Sequence, residues 1–75
     1  MMIKVLTFGK ISELLGPEFS ANATDTDNLI ASLMEKHKTL NNQTVLIAVN
    51  NAIVQHNTPL KEHDIVALMP PYSGG

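Results

Sequence analysis

The segment "MIKVLTFGKISELLG", from Met2 to Gly16, indicates a strand followed by a helix, because its apolar residues change period partway along. In Met2 to Phe8, β-branched and apolar side chains alternate between two faces, which predicts a strand. In Lys10 to Leu15, apolar residues recur at i, i+3 and i+4, the spacing of one helix face. Gly16 and Pro17 end that helix, because glycine adopts the left-handed conformation and proline cannot continue the helix.

The main helix is predicted over Asp25 to Lys38, with Asp25 or Thr26 as its N-terminal cap. Its apolar face forms a continuous stripe at helical spacing. The members of this stripe are Leu29, Ile30, Leu33, Met34 and His37. The polar stretch Thr39 to Thr44 is expected to be a loop.

Four further segments complete the pattern. A short second strand is expected over Glu18 to Ala23. Val45 to Val54 predicts two strands around Asn50-Asn51, since asparagine tolerates the positive φ of a two-residue hairpin turn. Leu60 is expected to anchor a short 3₁₀ turn, and Asp64 to Met69 forms the final strand.

The predicted order is strand, helix, strand, helix and then three strands, which indicates an α+β domain. The first and last strands carry apolar residues on both faces, so we place them at the sheet centre and parallel to each other. This is the β-grasp, or ubiquitin-like, fold: a mixed sheet of four to five strands packed on one main helix. A single domain is expected over residues 1–75, with a flexible C-terminal tail at 70–75.

Composition excludes several function classes. The chain has 75 residues and no cysteine, so disulfides, thiol nucleophiles and thiolate metal sites are impossible. A net charge of −2 with only five Lys and Arg argues against nucleic-acid and membrane-surface binding. A cysteine-free chain without a signal peptide is expected to be cytoplasmic.

The side chains show no pattern of an active site. The three histidines, His37, His56 and His63, lack metal-binding spacing, and we expect neither a metal nor a bound cofactor. The carboxylates are scattered, and the serines and glycines match no nucleophile or phosphate-binding motif. A binding or carrier role is therefore the leading class.

The C-terminal segment offers a reactive group on the main chain. Pro70 and Pro71 stiffen the exit from the last strand, while Gly74 and Gly75 have no side chains and can enter a narrow channel. The Gly75 carboxylate is unreactive until it is activated, for example by adenylation. Sulfide would then convert it to a thiocarboxylate, whereas an amine would give a protein conjugate. The tail alone does not choose between these routes, and an inert end is the simplest alternative.

Alternation along the central strands also predicts a docking surface. On the first strand, Ile3 and Val5 should face the helix, so Phe8 should face outward. On the last strand, alternation likewise places Met69 outward, with Ile53 on the neighbouring hairpin. Exposed apolar side chains of this kind mark partner interfaces. The alternative is that they close the sheet edge or pack under a loop.

Four segments together resemble one known family. They are Met2 to Gly16, "IAVNNAIV" (Ile47 to Val54), "PLKEHDIVALMPP" (Pro59 to Pro71) and the closing "SGG". The combination is similar to the small subunits of molybdopterin synthase, the sulfur carriers of molybdenum cofactor biosynthesis. The middle, Glu18 to Thr44, matches only in pattern.

The resemblance implies a complete reaction path. An activating enzyme that uses ATP would adenylate Gly75, and a sulfur donor would convert it to a thiocarboxylate. The tail would enter a large subunit, which binds a cyclic pyranopterin precursor, within a heterotetramer. The chain would thus belong to a sulfurtransferase as its sulfur-donating subunit. At the interface we expect the predicted docking surface and the tail, with Gly74 and Gly75 at the reaction. The docking surface supplies Phe8, Ile53 and Met69, and the tail supplies Pro70, Pro71, Tyr72 and Ser73. Met69 stands where the family often has an aromatic residue, which weakens a stacking contact there.

Three rival functions stay open. A sulfur carrier for thiamin thiazole synthesis would share the fold and the terminal glycines, although the Pro-Pro pair and the "AVN" hairpin favour the molybdopterin family. A ubiquitin-like modifier would instead join its terminus to lysines of target proteins. A plain adaptor would have an inert tail.

Overall fold

The computed structural model describes residues 1–42 and 44–71, and its elements follow the predicted order. One 3₁₀ helix, Lys38–Asn42, is added to that order. The other elements are β1 (Met2–Thr7), α1 (Gly9–Leu15), β2 (Glu18–Asn22), α2 (Thr26–Lys36), β3 (Leu46–Val49), β4 (Ala52–Val54) and β5 (Ile65–Met69).

The five strands form one mixed sheet in the order β2-β1-β5-β3-β4. The first and last strands pair in parallel, with Lys4 opposite Ile65 and Thr7 opposite Leu68. All other neighbours are antiparallel. The prediction of a central, parallel β1–β5 pair is therefore confirmed, with β5 in the middle and β1 beside it.

The core lies between one face of the sheet and α2. Alternation in β1 and β5 sends Ile3, Val5, Val66 and Leu68 to this inner face, where none is more than 2% exposed. Core positions from the other elements are Ile11, Leu29, Leu33, Leu40 and Leu60. Burying an aliphatic side chain of this size contributes roughly 1.5–3 kcal/mol. The opposite, outer face of the sheet takes no part in this cluster.

The start of α2 was predicted correctly, but its end was not. Asp25 caps the helix, and its carboxylate accepts a hydrogen bond from the Asn28 backbone N–H at 2.8 Å. The helix ends at Lys36, two residues earlier than predicted, because His37 leaves helical geometry at φ −128° and ψ 86°.

Two predictions about the loops were wrong. The stretch after α2 is not a plain loop, because Leu40 is fully buried and the 3₁₀ helix carries it into the core. No 3₁₀ turn forms at Leu60. That residue is held instead by an extended connection, in which its N–H donates to the Thr24 carbonyl and Pro59 bridges to Asp25.

The β3–β4 hairpin turns at the predicted pair, since Asn50 and Asn51 have φ of 49° and 73°. The Asn50 side chain has a second role. Its amide oxygen accepts from the Ile65 N–H at 3.0 Å, and its Nδ2 donates to the Asp64 carboxylate at 3.0 Å. The other Asp64 oxygen accepts from the Lys61 N–H at 2.8 Å. These bonds join the hairpin to the start of β5.

This network predicts an acid-dependent loss of stability. The hydrogen bonds from Asn50 and the Lys61 backbone lower the pKa of the Asp64 carboxyl below its usual value. A carboxyl whose pKa is lower in the folded state stabilises the fold above its unfolded pKa, and this contribution is lost as the pH falls through the folded value. We therefore expect Asp64→Asn to be less stable than the wild type at neutral pH and to approach it in acid. Urea unfolding between about pH 6 and pH 2 tests this. A constant difference across that range would contradict it.

Candidate functional site

The outer face of the sheet carries apolar side chains on four adjacent strands. Strand register places Ile53 opposite Ala48, Ala48 opposite Ala67, and Ala67 opposite Leu6. These four side chains form one row across β4, β3, β5 and β1, because residues that pair directly lie on the same face of a sheet.

A second row lies beside the first, where β5 ends. Leu46 pairs with Met69. Phe8 follows β1 with extended backbone, and its N–H donates to the Leu68 carbonyl at 3.0 Å. Continued alternation after buried Thr7 therefore places Phe8 on the outer face, next to Met69. The two rows together form what we call the outer patch: Leu6, Phe8, Leu46, Ala48, Ile53, Ala67 and Met69.

Two members of the outer patch are open to solvent, since Phe8 is 48% exposed and Ile53 is 52% exposed. Ala48 is buried at 5% exposure, and the other members are half-buried: Leu6, Leu46, Ala67 and Met69. The three residues predicted from the sequence, Phe8, Ile53 and Met69, do not all lie on adjacent strands. Strand β3 lies between Ile53 on β4 and Met69 on β5. Leu46 and Ala48, which the sequence reasoning missed, connect them. The signal for Ala48 was available, since a two-residue turn at Asn50-Asn51 already pairs it with Ile53.

The polar border of the outer patch lies on the β2 side. Lys4 and Glu18 form an ion pair at 3.2 Å there, and both side chains are more than half exposed. Such exposed pairs contribute little to stability. The pair therefore limits the apolar surface without adding an evident catalytic group.

The chain leaves the sheet next to the outer patch. β5 ends at Met69, after which Pro70 is half-buried and Pro71 is exposed. The predicted site residues Tyr72, Ser73, Gly74 and Gly75 lie outside the described residues. The start of the tail and the outer patch thus share one end of β5.

The histidines do not assemble into a site. His37 ends α2, His56 is exposed, and His63 sits in a turn at φ 71°. Within residues 1–42 and 44–71, no three His, Cys, Asp or Glu side chains come together as metal ligands would. The longest helix of this part of the chain, α2, has 11 residues, and no helix there is long and apolar enough to cross a membrane.

A mixed five-stranded sheet over one main helix, with parallel first and last strands, defines the class as a small ubiquitin-like β-grasp protein. Residues 5–75 match the family model described as the ThiS family. The chain belongs to this family.

Similar proteins carry the name that the sequence motifs predict. The chain is 34% identical to the molybdopterin synthase sulfur carrier subunit of Escherichia coli (strain K12), with 99% of this chain and 100% of that protein covered. It is 35% identical to the subunit of the same name from Chlamydomonas reinhardtii, with both chains covered completely. A solved complex of subunits 1 and 2 of molybdopterin-converting factor from Helicobacter pylori 26695 includes a chain with a TM-score of 0.75 and 32% identity. That match covers 100% of each chain. The predicted fold and family resemblance are confirmed.

Proposed function

We propose that this protein is the sulfur carrier subunit of a molybdopterin synthase. The observation that carries the proposal is full-length similarity, at 34% and 35% identity, to two proteins that bear this name. The closing Gly74 and Gly75 supply the chemistry that the name requires, because a terminal acyl group can hold sulfur in a chain without cysteine. The role would be cytoplasmic, as expected of a cysteine-free chain.

The proposed loading reaction takes place entirely at Gly75. An oxygen of its carboxylate attacks the α-phosphorus of ATP on an activating enzyme, and pyrophosphate leaves. Sulfide then attacks the acyl carbon, the bond to the adenylate oxygen breaks, and AMP leaves. The product is a thiocarboxylate whose sulfur carries the negative charge. This chain itself binds no cofactor in this scheme, since ATP belongs to the activating enzyme.

The proposed transfer reaction uses this sulfur as the nucleophile. In the active site of a large subunit, the thiocarboxylate sulfur bonds to a carbon of the pyranopterin precursor while the bond from that carbon to its oxygen substituent breaks. The oxygen leaves with the bonding electron pair and takes up a proton. Water then attacks the acyl carbon and breaks its bond to sulfur. The sulfur stays on the pterin, and Gly75 returns to a carboxylate for another cycle.

The outer patch is the proposed docking surface for the large subunit. It joins exposed Phe8 to the end of β5, so a partner that covers it would also receive the tail. The Helicobacter pylori complex contains two subunits of molybdopterin-converting factor, which supports a two-subunit arrangement. We place one small subunit at each end of a dimer of large subunits.

Intact mass tests the carrier role. After incubation with the activating enzyme, ATP and sulfide, the chain should become heavier by about 16 Da, because one sulfur replaces one oxygen of the covalently activated acyl group. Omission of ATP should leave the mass unchanged. A ladder of heavier adducts would indicate a protein modifier, and an unchanged mass under all conditions would indicate an inert adaptor.

A sulfur carrier for thiamin thiazole synthesis would give the same mass change. The similar proteins from Escherichia coli and Chlamydomonas reinhardtii both carry the molybdopterin synthase name, which favours the first proposal. Transfer of sulfur from the loaded chain to the pyranopterin precursor, in the presence of a large subunit, would separate the two carriers.

A further inference from the structure

The Pro70 ring lies beside Gly9 at the point where the tail begins, in space that a Cβ on residue 9 would occupy. Gly9 has φ +60°, a conformation that favours glycine. A Cβ at this position would lie 2.8 Å from Pro70 Cγ and 3.4 Å from Pro70 Cδ. The first distance is too short for two carbon atoms, whose optimal separation is about 3.5–4.0 Å. The proline ring therefore fills space that only glycine leaves open.

The backbone around this contact is held on both sides. Immediately before Gly9, the Phe8 N–H donates to the Leu68 carbonyl at 3.0 Å, which fixes the start of α1 against β5. On the other side, Met69 pairs with Leu46 as the last residue of the sheet ladder. Pro70 is thus the first residue beyond the ladder, and its ring packs on Gly9.

The proline ring also restricts the direction in which the chain leaves β5. The ring fixes φ of Pro70, and the proline that follows it disfavours helical ψ. Because the ring also packs on Gly9, little freedom remains in how the chain leaves β5. The six residues from Pro70 to Gly75 span up to about 20 Å when extended, so a small rotation at Pro70 displaces the terminus by several ångströms.

We propose that Gly9 is a positioning residue for sulfur transfer: it seats the Pro70 ring and so aims the tail that carries the Gly75 thiocarboxylate. This inference rests on the proposed function. In this role Gly9 acts through Pro70 and is not a catalytic residue. Phe8 directly precedes Gly9, so the proposed docking residue and the residue that packs against Pro70 are adjacent in sequence.

The chain contains a matched control for the test. Gly16 also has a positive φ, +91°, but a Cβ there would meet nothing within 4 Å. Gly16→Ala therefore introduces backbone strain away from the tail. Gly9→Asn introduces a steric clash with little backbone strain, because asparagine tolerates a left-handed backbone while its Cβ collides with Pro70. Pro70→Gly removes the ring and tests the same contact without altering Gly9.

The experiment measures single-turnover sulfur transfer from each thiocarboxylated protein to the pyranopterin precursor in complex with the large subunit. Gly9→Asn and Pro70→Gly should slow transfer at saturating large subunit by tenfold or more, because misplacement by about 1 Å can cost 100-fold in rate. Gly16→Ala should transfer at a rate close to the wild type below its unfolding temperature. In the free protein, nuclear Overhauser effects between the Gly9 Hα protons and the Pro70 ring should persist in Gly16→Ala and disappear in Gly9→Asn.

The outcomes separate this inference from the proposed function. If the wild-type thiocarboxylate transfers sulfur but Gly9→Asn and Pro70→Gly match Gly16→Ala in rate, the positioning role is overturned and the carrier role stands. Absence of the Gly9–Pro70 Overhauser effects in the wild type would also overturn the positioning role alone. If the wild-type thiocarboxylate transfers no sulfur, the proposed function fails and this inference fails with it.

Discussion

A chain that lacks Gly75 should transfer no measurable sulfur, although it should fold and bind the large subunit like the wild type. The physical reason is reach: one residue of extended chain spans about 3.3–3.6 Å, whereas reacting atoms must approach to about 3–3.5 Å. Removing Gly75 therefore withdraws the acyl group by a whole residue. This cysteine-free protein has no side-chain thiol that could hold the sulfur instead.

Adding one alanine after Gly75 should have the same effect for a second reason. The reactive carboxylate would move forward by one residue, and a methyl group would enter a channel proposed to accept only glycine. The controls are the unfolding midpoint and the dissociation constant for the large subunit, both of which should match the wild type. Turnover at the wild-type rate by either variant would contradict the proposed role of the terminus.

Phe8→Ala should weaken docking to the large subunit by roughly 1–3 kcal/mol, or about 5- to 150-fold in the dissociation constant. Phe8 is the aromatic member of the outer patch and is 48% exposed in the free chain, so a partner can bury much of its ring. Aromatic anchors of this kind dominate many interfaces. Isothermal titration calorimetry with the large subunit measures the change directly.

Leu14→Ala is the matched control for Phe8→Ala. Leu14 is also an exposed apolar residue, at 36%, but it lies on α1 beside Lys10, Glu13 and Thr39 rather than in the outer patch. Its substitution should change the dissociation constant by less than about threefold. Equal effects of the two substitutions, or an unchanged constant for Phe8→Ala, would remove Phe8 from the interface.

Local periodicity was sufficient to predict the main elements and their faces. Strict alternation in β1 correctly placed Ile3 and Val5 inside, because a strand with one buried face must put every second side chain there. Asn50-Asn51 correctly marked the hairpin turn, since both residues adopt positive φ. In each case the signal lies within a few neighbouring residues.

Features that depend on distant segments could not be predicted in the same way. Leu40 lies in a polar stretch, and its burial depends on space left by the rest of the fold. Leu46 belongs to the outer patch because it pairs with Met69 in the β3–β5 register, and no local sequence motif predicts that register. The Gly9–Pro70 contact joins residues that are 61 positions apart, so it became visible only when β1 and β5 were paired.

The most direct measurement compares sulfur donation by two synthetic forms of the full chain: one that ends in the free Gly75 carboxylate and one that ends in the Gly75 amide. Both are incubated with the activating enzyme, ATP, sulfide, the large subunit and the pyranopterin precursor. We expect pterin sulfuration only by the carboxylate form, because an amide cannot displace pyrophosphate from ATP. Sulfuration at equal rates by the two forms would contradict it.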